Sequence, residues 1–400
     1  MKKVYTSFFS LVFTCFFANA QFVEDVINAI RLDSLERKIS DLSGETSSSI
    51  NGANTTITTR VSSNNDLAAE YIKDHFEALG NISINDQAYN GGSFGTGRNI
   101  IATQTGTTNP NDVYLICAHY DSVAAFCADD NATGTSAVLE IARILSTYET
   151  ENTIVYALWD QEENGLRGSN FYAEEASNVA NGGANRVNIV GVVNMDMMGY
   201  DGDPVGSAGD NQFDIDLNFS TSSTAIKDDL LALVTTYNFD LNPIVVQPGT
   251  PASDHKPFWD EGYGAVLVGE SWETVDQTPF YHTSSDKLAT LDLPYYHEMV
   301  KLVASYTATK ANIIKVLSSE ELLNRKFSIY PNPVDSILNI ETAISETLSL
   351  EFYDINGKVI KRQSINKDNS QVNISEFTKG IYFVNIISSL GETTFKFVKE

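Results

Sequence analysis

The strongest constraint on this chain is a rhythm of apolar runs. "DVYLICAH" (112–119), "TIVYALWD" (153–160) and "VNIVGVVNMD" (187–196) are almost unbroken apolar stretches, and helical spacing separates them. A strand that is apolar at consecutive positions hides both of its faces, so its sheet must be covered on both sides. Helical patterns fall at 133–148, 165–177, 224–237 and 293–317, and further strands at 98–106 and 264–270. Upstream, "NDLAAEYIKDHFEALG" (65–80) begins on Asn/Asp and stops on Gly, which predicts another helix. Residues 21–50 read as a surface helix and a connection. The pattern predicts an α/β fold: a mainly parallel mixed sheet flanked by helices on both faces.

The rhythm changes after about residue 320. "SSEELLNRK" reads as a polar connector, and from Phe327 short alternating strands follow, separated by turn residues. Asn356-Gly357 between two such strands is a hairpin signal. A small all-β sandwich is expected over 326–400, after a linker at 316–325 and an α/β domain at 21–315. At the other end, "MKK" followed by "VYTSFFSLVFTCFF" and "ANA" reads as a signal peptide, residues 1–20. "VFTC" lacks the small residue expected before a lipidated Cys15. No later run is long and apolar enough to span a membrane.

The formal net charge of -26 repels phosphate and so argues against nucleic acid or anionic lipid as a partner. It also means that any single acidic pair here is read first as surface charge. Beyond the signal peptide the only cysteines are Cys117 and Cys127. An exported chain could oxidise them, or they could stay as buried thiols; spacing does not decide. Two cysteines cannot build a thiolate zinc site.

Of the five histidines, His75 and His297 fall inside predicted helices and read as structural. The other three sit at strand ends or in loops, close to acids. "CAHYDS" puts His119 and Asp121 just past a strand, two residues apart and so on one face. A carboxylate there can accept the second ring N–H of a metal-bound histidine and fix its tautomer. "ADDNATG" follows with Asp129 and Asp130, then "WDQEENGL" with Glu162 and Glu163, "VVNMDMMG" with Asp196, and "FYHTSSD" with His282. Most of these lie beyond the carboxyl ends of predicted strands, where open α/β sheets bind ligands. Two histidines and three or four carboxylates, without thiolate, suit zinc in a hydrolytic site. One histidine and one carboxylate per ion, with one carboxylate shared, would hold two metals and a water between them.

Together "HYDS", "ADDNATG", "EENGLRGS", "NMDMMG", "SDHKPF" and "YHTSSD" resemble, in kind and order, the secreted di-zinc aminopeptidases, a leucyl-aminopeptidase-like family related to glutaminyl cyclases. The motifs span 119–286, and the looser similarity about 50–315. The resemblance implies two Zn2+ per chain. His119 and Asp196 would bind one ion, Glu163 and His282 the other, and Asp129 would bridge them. It also implies Glu162 as general base, Asp121 as the group orienting His119, and a frequent cis bond between Asp129 and Asp130. Peptide or protein N-termini would be the substrate. Tyr281, next to a ligand, is the candidate oxyanion donor. Ser253 is expected to N-cap the following helix, while Asp254 and His255 stay outside the ligand set.

Two rivals follow from the same residues. A glutaminyl cyclase uses this fold with one zinc and consumes no water, and a dead binding homologue would need a broken ligand or base. Pocket walls are expected from 200–222 and 243–252. The tail motifs "YPNPVDSILNI", "FYDINGKVI" and "ISEFTKGIYFVNI" resemble the sorting domain of the type IX secretion system. That resemblance implies export through the periplasm to the cell surface or medium by the type IX machinery, with the tail commonly removed. A carbohydrate-binding sandwich would need exposed aromatics that the tail does not cluster.

Overall fold

The structure is a computed structural model that describes residues 20–400 apart from 63, 203–209, 343, 345, 367 and 368. The expected signal segment, Ala20 excepted, lies outside the described residues, as does Cys15. The described residues divide into two compact units, one of residues 20–76 and 82–315, the other of Glu77–Asn81 with Val316–Glu400.

The first unit is built on eight strands. They are β1 (Ser83–Asn90), β2 (Thr96–Gln104), β3 (Asn109–His119), β4 (Asn152–Trp159), β5 (Ile189–Met195), β6 (Gln212–Leu217), β7 (Asn242–Val246) and β8 (Ala265–Glu270). Their order across the sheet is β7-β6-β8-β5-β3-β4-β2-β1. The four central strands, β8, β5, β3 and β4, run parallel. β6 and β2 are antiparallel to them and start the two flanks. The architecture is therefore mixed, with a parallel centre, as the apolar runs predict.

Alternate residues of the central strands bury on opposite faces. Leu115, Cys117, Val155, Ala157 and Trp159 pack with Ala173 and Phe258 in one cluster. On that side lie α4 (Arg167–Ser177) and α6 (Lys256–Asp260). The other face carries α1 (Leu32–Leu42), α3 (Gly134–Leu145), α5 (Thr221–Tyr237) and α7 (Leu293–Ala311), while α2 (Asp66–Glu77) precedes β1. α3 is buried along almost its whole length. Its first residue, Gly134, has no room for a side chain: a Cβ there would meet Met195 O at 2.5 Å and Asn131 Oδ1 at 2.4 Å. This close approach seats the preceding loop directly between the ends of β3 and β5.

Three expectations change, and one question left open is answered. β1, β6 and β7 were not predicted as strands: polar residues dilute the apolar pattern in β1 and β6, and β7 is short and interrupted by Pro243. α7 stops at Ala311 instead of running to 317, since Asn312 adopts a left-handed conformation (φ 52) that ends a helix. The β-branched residues beyond form a strand, Ile313–Val316, beside Tyr148–Thr150. The polar connector contains a short helix, α8 (Ser319–Asn324), started by a capping box between Ser318 and Glu321. Cys117 and Cys127 are both free, buried thiols.

The second unit is all-β. A three-stranded sheet comprises β9 (Phe327–Tyr330), β10 (Ile337–Thr342) and β13 (Gln371–Asn373). A four-stranded sheet comprises β11 (Leu348–Tyr353), β12 (Val359–Ile365), β14 (Gly380–Ser388) and β15 (Gly391–Lys399). Phe352, Val384, Ile386, Leu338 and Phe397 meet in its core, and Leu323 of α8 joins them. The Asn356-Gly357 hairpin is present: the Asp354 carboxylate accepts from the amides of Asn356 and Lys358, and Gly357 takes φ 78.

Candidate metal centre

The candidate residues other than Asp129 converge at the carboxyl edge of the four parallel strands. His119 is the last residue of β3. Asp196 follows β5, and Glu162 and Glu163 lie three and four residues past β4. His282 comes from the loop after β8, at φ 59, a conformation that costs energy for a non-glycine residue. Strands running in one direction deliver their ends to one edge, which is why residues so far apart in sequence meet here.

His119 Nε2 lies 3.2 Å from Asp196 Oδ1 and 3.3 Å from Asp130 Oδ1. His282 Nε2 lies 3.2 Å from both Asp130 Oδ2 and Glu163 Oε2. Asp130 thus stands between two groups of three donors, His119–Asp130–Asp196 and Asp130–Glu163–His282, each with its ligand atoms within 4.8 Å of one another. This overturns the sequence expectation for Asp129. Its carboxylate turns the other way, accepts from the Gly199 amide at 2.8 Å, and meets the carboxyl of Glu270. The physical reason is the loop. Its helical path breaks at Asp130 (φ -102, ψ 91) and Asn131 (φ -132, ψ 53), so adjacent side chains face opposite directions. The cis bond likewise falls one residue later than expected, between Asp130 and Asn131. The fully buried Asp286 accepts both loop amides, Asp129 N at 2.9 Å and Asp130 N at 3.0 Å.

Asp121 supports the site from below. Its backbone oxygen lies 3.2 Å and its carboxylate 3.5 Å from His119 Nδ1. A proton on Nδ1 would leave Nε2 free to ligate. The same carboxylate accepts the amides of Glu162 (3.1 Å) and Glu163 (3.3 Å), so one acid sets both the imidazole and the paired glutamates. Ser253 does not cap a helix: it donates to Asp196 Oδ2 at 2.6 Å and accepts from Asn194, holding the carboxylate in place. Asp254 is buried, bonded to Ser169, and driven by burial up to about 7. His255 Nε2 donates to Thr250 O, and burial pushes its pKa down to about 4. His75 and His297 bond the carbonyl oxygens of Tyr71 and Ile30, away from the site.

The electrostatics ask for cations. Burial, and then Asp130, push Glu163 up to about 8, and burial raises Glu162 well above the usual carboxylate range. Burial disfavours charge on His119, yet Asp196, Glu162, Asp121 and Asp130 outweigh it and hold its proton far above the ordinary range. Among the described residues the buried Glu163 Oε1 has no hydrogen-bond donor, and Asp130 Oδ2 meets only His282 Nε2. Carboxylates crowded around two imidazoles, with an orphaned oxygen among them, are the donor set of a divalent-metal site. Glu162 differs from the rest. Its amide is held by Asp121, but no described residue donates a hydrogen bond or ion pair to its carboxylate. That carboxylate faces a cavity of about 280 Å³ shared with His119, Glu163, Asp196 and His282. Tyr281, 42% exposed, stacks on His282 at 3.6 Å between ring centroids and lines the same cavity.

Sequence reasoning missed Asp286, although it closes the quoted motif "YHTSSD". The segments expected to form pocket walls do line the cavity, with Asp214 and Asp216 from 200–222 and Thr250 and Ala252 from 243–252, but neither aspartate was singled out, and Glu270 was missed. The period-two alternation of "QFDIDL" is the signal that could have found the two aspartates.

The chain is similar to known proteins in sequence and in fold. Residues 99–307 match peptidase family M28, and residues 328–400 match the secretion system C-terminal sorting domain. Aminopeptidase YwaD of Bacillus subtilis is 30% identical over 203 residues, 50% of this chain and 42% of that protein. The matched stretches cover less than half the length of the first curated relatives. The LapA aminopeptidase of Legionella pneumophila has a similar structure, with a TM-score of 0.60 at 19% identity over 74% of this chain and 75% of that one. Glutaminyl cyclase of Porphyromonas gingivalis shares the fold at a TM-score of 0.53 and 16% identity, over 70% and 98%.

Proposed function

Because the chain belongs to peptidase family M28, we propose that it is a secreted metallo-aminopeptidase that removes N-terminal residues from peptides with a co-catalytic zinc pair. The observation that carries this reading is the pair of donor groups sharing Asp130, with one unpaired acid, Glu162, beside them. His119 and Asp196 would hold one ion, Glu163 and His282 the other, and Asp130 both. When bound, such a pair supplies Lewis acidity and lowers the pKa of a water held between the ions.

The chain's own residues then do the proton work. Glu162 takes a proton from the attacking water as its oxygen bonds the scissile carbonyl carbon. It returns that proton to the amine nitrogen as the C–N bond breaks. Asp121 keeps His119 and both glutamates in register. The Tyr281 hydroxyl, at the cavity wall, donates to the oxygen on which charge develops. Two complete donor groups favour this over single-zinc cyclisation, which would leave one group without a task.

A digest of a mixed peptide library by the zinc-loaded protein, read by mass spectrometry, should show successive loss of single N-terminal residues, at close to two zinc ions per chain. Internal cleavage, or conversion of N-terminal Gln to pyroglutamate at one zinc, would overturn the reading.

The chain also carries a secretion sorting domain. In our reading this tail takes the protein from the periplasm across the outer membrane through the type IX machinery and is then removed. Residues 316–400, which include the α8 residue Leu323 packed into the tail's core, should export an inert reporter from a host with that machinery. A reporter retained in the periplasm would argue against the sorting role.

A further inference from the structure

The cavity extends beyond the metal ligands to a second wall of acids. On β6, Asp214 and Asp216 point to one face and Phe213, Ile215 and Leu217 bury on the other. Both aspartates line the cavity, together with Trp272 and Glu273 from the turn after β8. Asp214 builds that wall. It accepts from Ser271 Oγ (2.8 Å) and from the amides of Trp272 (2.8 Å) and Glu273 (3.2 Å), which fixes the turn.

Asp216 is left with a free oxygen. Its Oδ1 accepts the Thr250 amide at 2.7 Å, while no described residue bonds Oδ2. The residue is only 6% exposed, so what reaches Oδ2 comes through the cavity. The Glu273 carboxylate, at an exposed position, has no ion pair with a described residue either. No Lys or Arg is among the described residues that line the cavity. The ligand carboxylates would be neutralised by bound metal, but Asp216 and Glu273 stand on the far wall with nothing to neutralise them. Burial, with Asp214 and Glu273 adding to it, already pushes Asp216 up to about 6, as befits a carboxylate short of a cation.

We propose that this pocket selects peptides whose N-terminal residue is lysine or arginine. The cationic head would meet Asp216 Oδ2 and Glu273, and the Trp272 ring would flank the alkyl stem. The proposal rests on the aminopeptidase reading. A leucine in the same place would cover the Asp216 carboxylate without pairing it, and a site built around a buried polar group rejects the analogue that lacks its partner. An aromatic wall beside a cation adds to the preference.

The test compares lysine with norleucine, which lacks only the terminal ammonium. Calorimetric binding of L-lysinamide and L-norleucinamide to the zinc-loaded full chain carrying Glu162→Gln, which leaves the amides uncleaved, should favour lysinamide by about tenfold to a hundredfold. The 4-nitroanilides of the two should differ similarly in kcat/KM with the parent protein. Asp216→Asn keeps the acceptor for the Thr250 amide and should erase the preference, weakening lysinamide while norleucinamide, no longer covering an unpaired carboxylate, binds no worse. Glu273→Gln, at an exposed position, should reduce it a few-fold without touching the fold. Equal or tighter binding of norleucinamide where Asp216 is intact would overturn the proposal, as would variants that weaken both ligands alike. Preferential binding of lysinamide without turnover of either anilide by the parent protein would uphold the pocket and overturn the aminopeptidase reading.

Discussion

Glu162→Gln should leave zinc content near the parent value and lower kcat by about 10²–10⁴-fold, the usual worth of a positioned general base. The substitution changes little else. The Glu162 amide stays bonded to Asp121, and no described residue depends on the carboxylate. Glutamine fills the same space and cannot accept a proton. Glu163→Ala, one residue along, should behave differently: it removes a donor 3.2 Å from His282 Nε2 and should lose metal together with activity. Measuring zinc by elemental analysis alongside hydrolysis of an aminoacyl amide separates the two. Glu162 also lies within ligand distance of His119 and Glu163. A Glu162→Gln variant that sheds zinc would therefore move Glu162 into the ligand set, and one that keeps its activity would end the base assignment.

The second large effect tests which aspartate is shared. Asp130→Asn should strip zinc and reduce kcat/KM by at least about 10²-fold, since even partners outside the ligand shell are worth 10–100-fold. Asp130 faces both imidazoles, at 3.3 and 3.2 Å, so both donor groups lose a member at once. Asp129→Asn should keep its zinc. An asparagine there can still accept the Gly199 amide, and the side chain points towards Glu270, away from the histidines. If Asp129→Asn empties the site and Asp130→Asn does not, the shared ligand is the residue that the sequence motif suggested and the geometry above is wrong.

That one-residue difference shows where sequence reading ends. "ADDNATG" announces an acid at the junction of a strand and a helix, but not which of two neighbours faces the metals. The answer depends on a backbone turn at Asp130 and Asn131, and the turn is held by Asp286, 156 residues away. Ser253 is a similar case. Its place before a short helix suggests a cap, yet packing carries it against Asp196 instead. The helix that was expected to reach residue 317 ends at Asn312, whose left-handed conformation has no clear signature within an apolar stretch.

By itself the sequence determined the central fold and which polar side chains gather at one edge of it. Apolar runs between amphipathic segments require a covered, mainly parallel sheet, because burying both faces is the only way to keep such strands from water. Parallel strands bring their carboxyl ends to one edge, so the order of the motifs already implied that His119, Glu163, Asp196 and His282 would meet. Tertiary structure alone decided what each polar group faces. Asp130 rather than Asp129 reached the histidines, Glu162 was left unpaired, and a polar strand at the flank of the sheet set Asp216 in the pocket wall. Those choices rest on side-chain directions within a few ångströms, set by contacts between residues far apart in the chain, and local pattern carries no record of them.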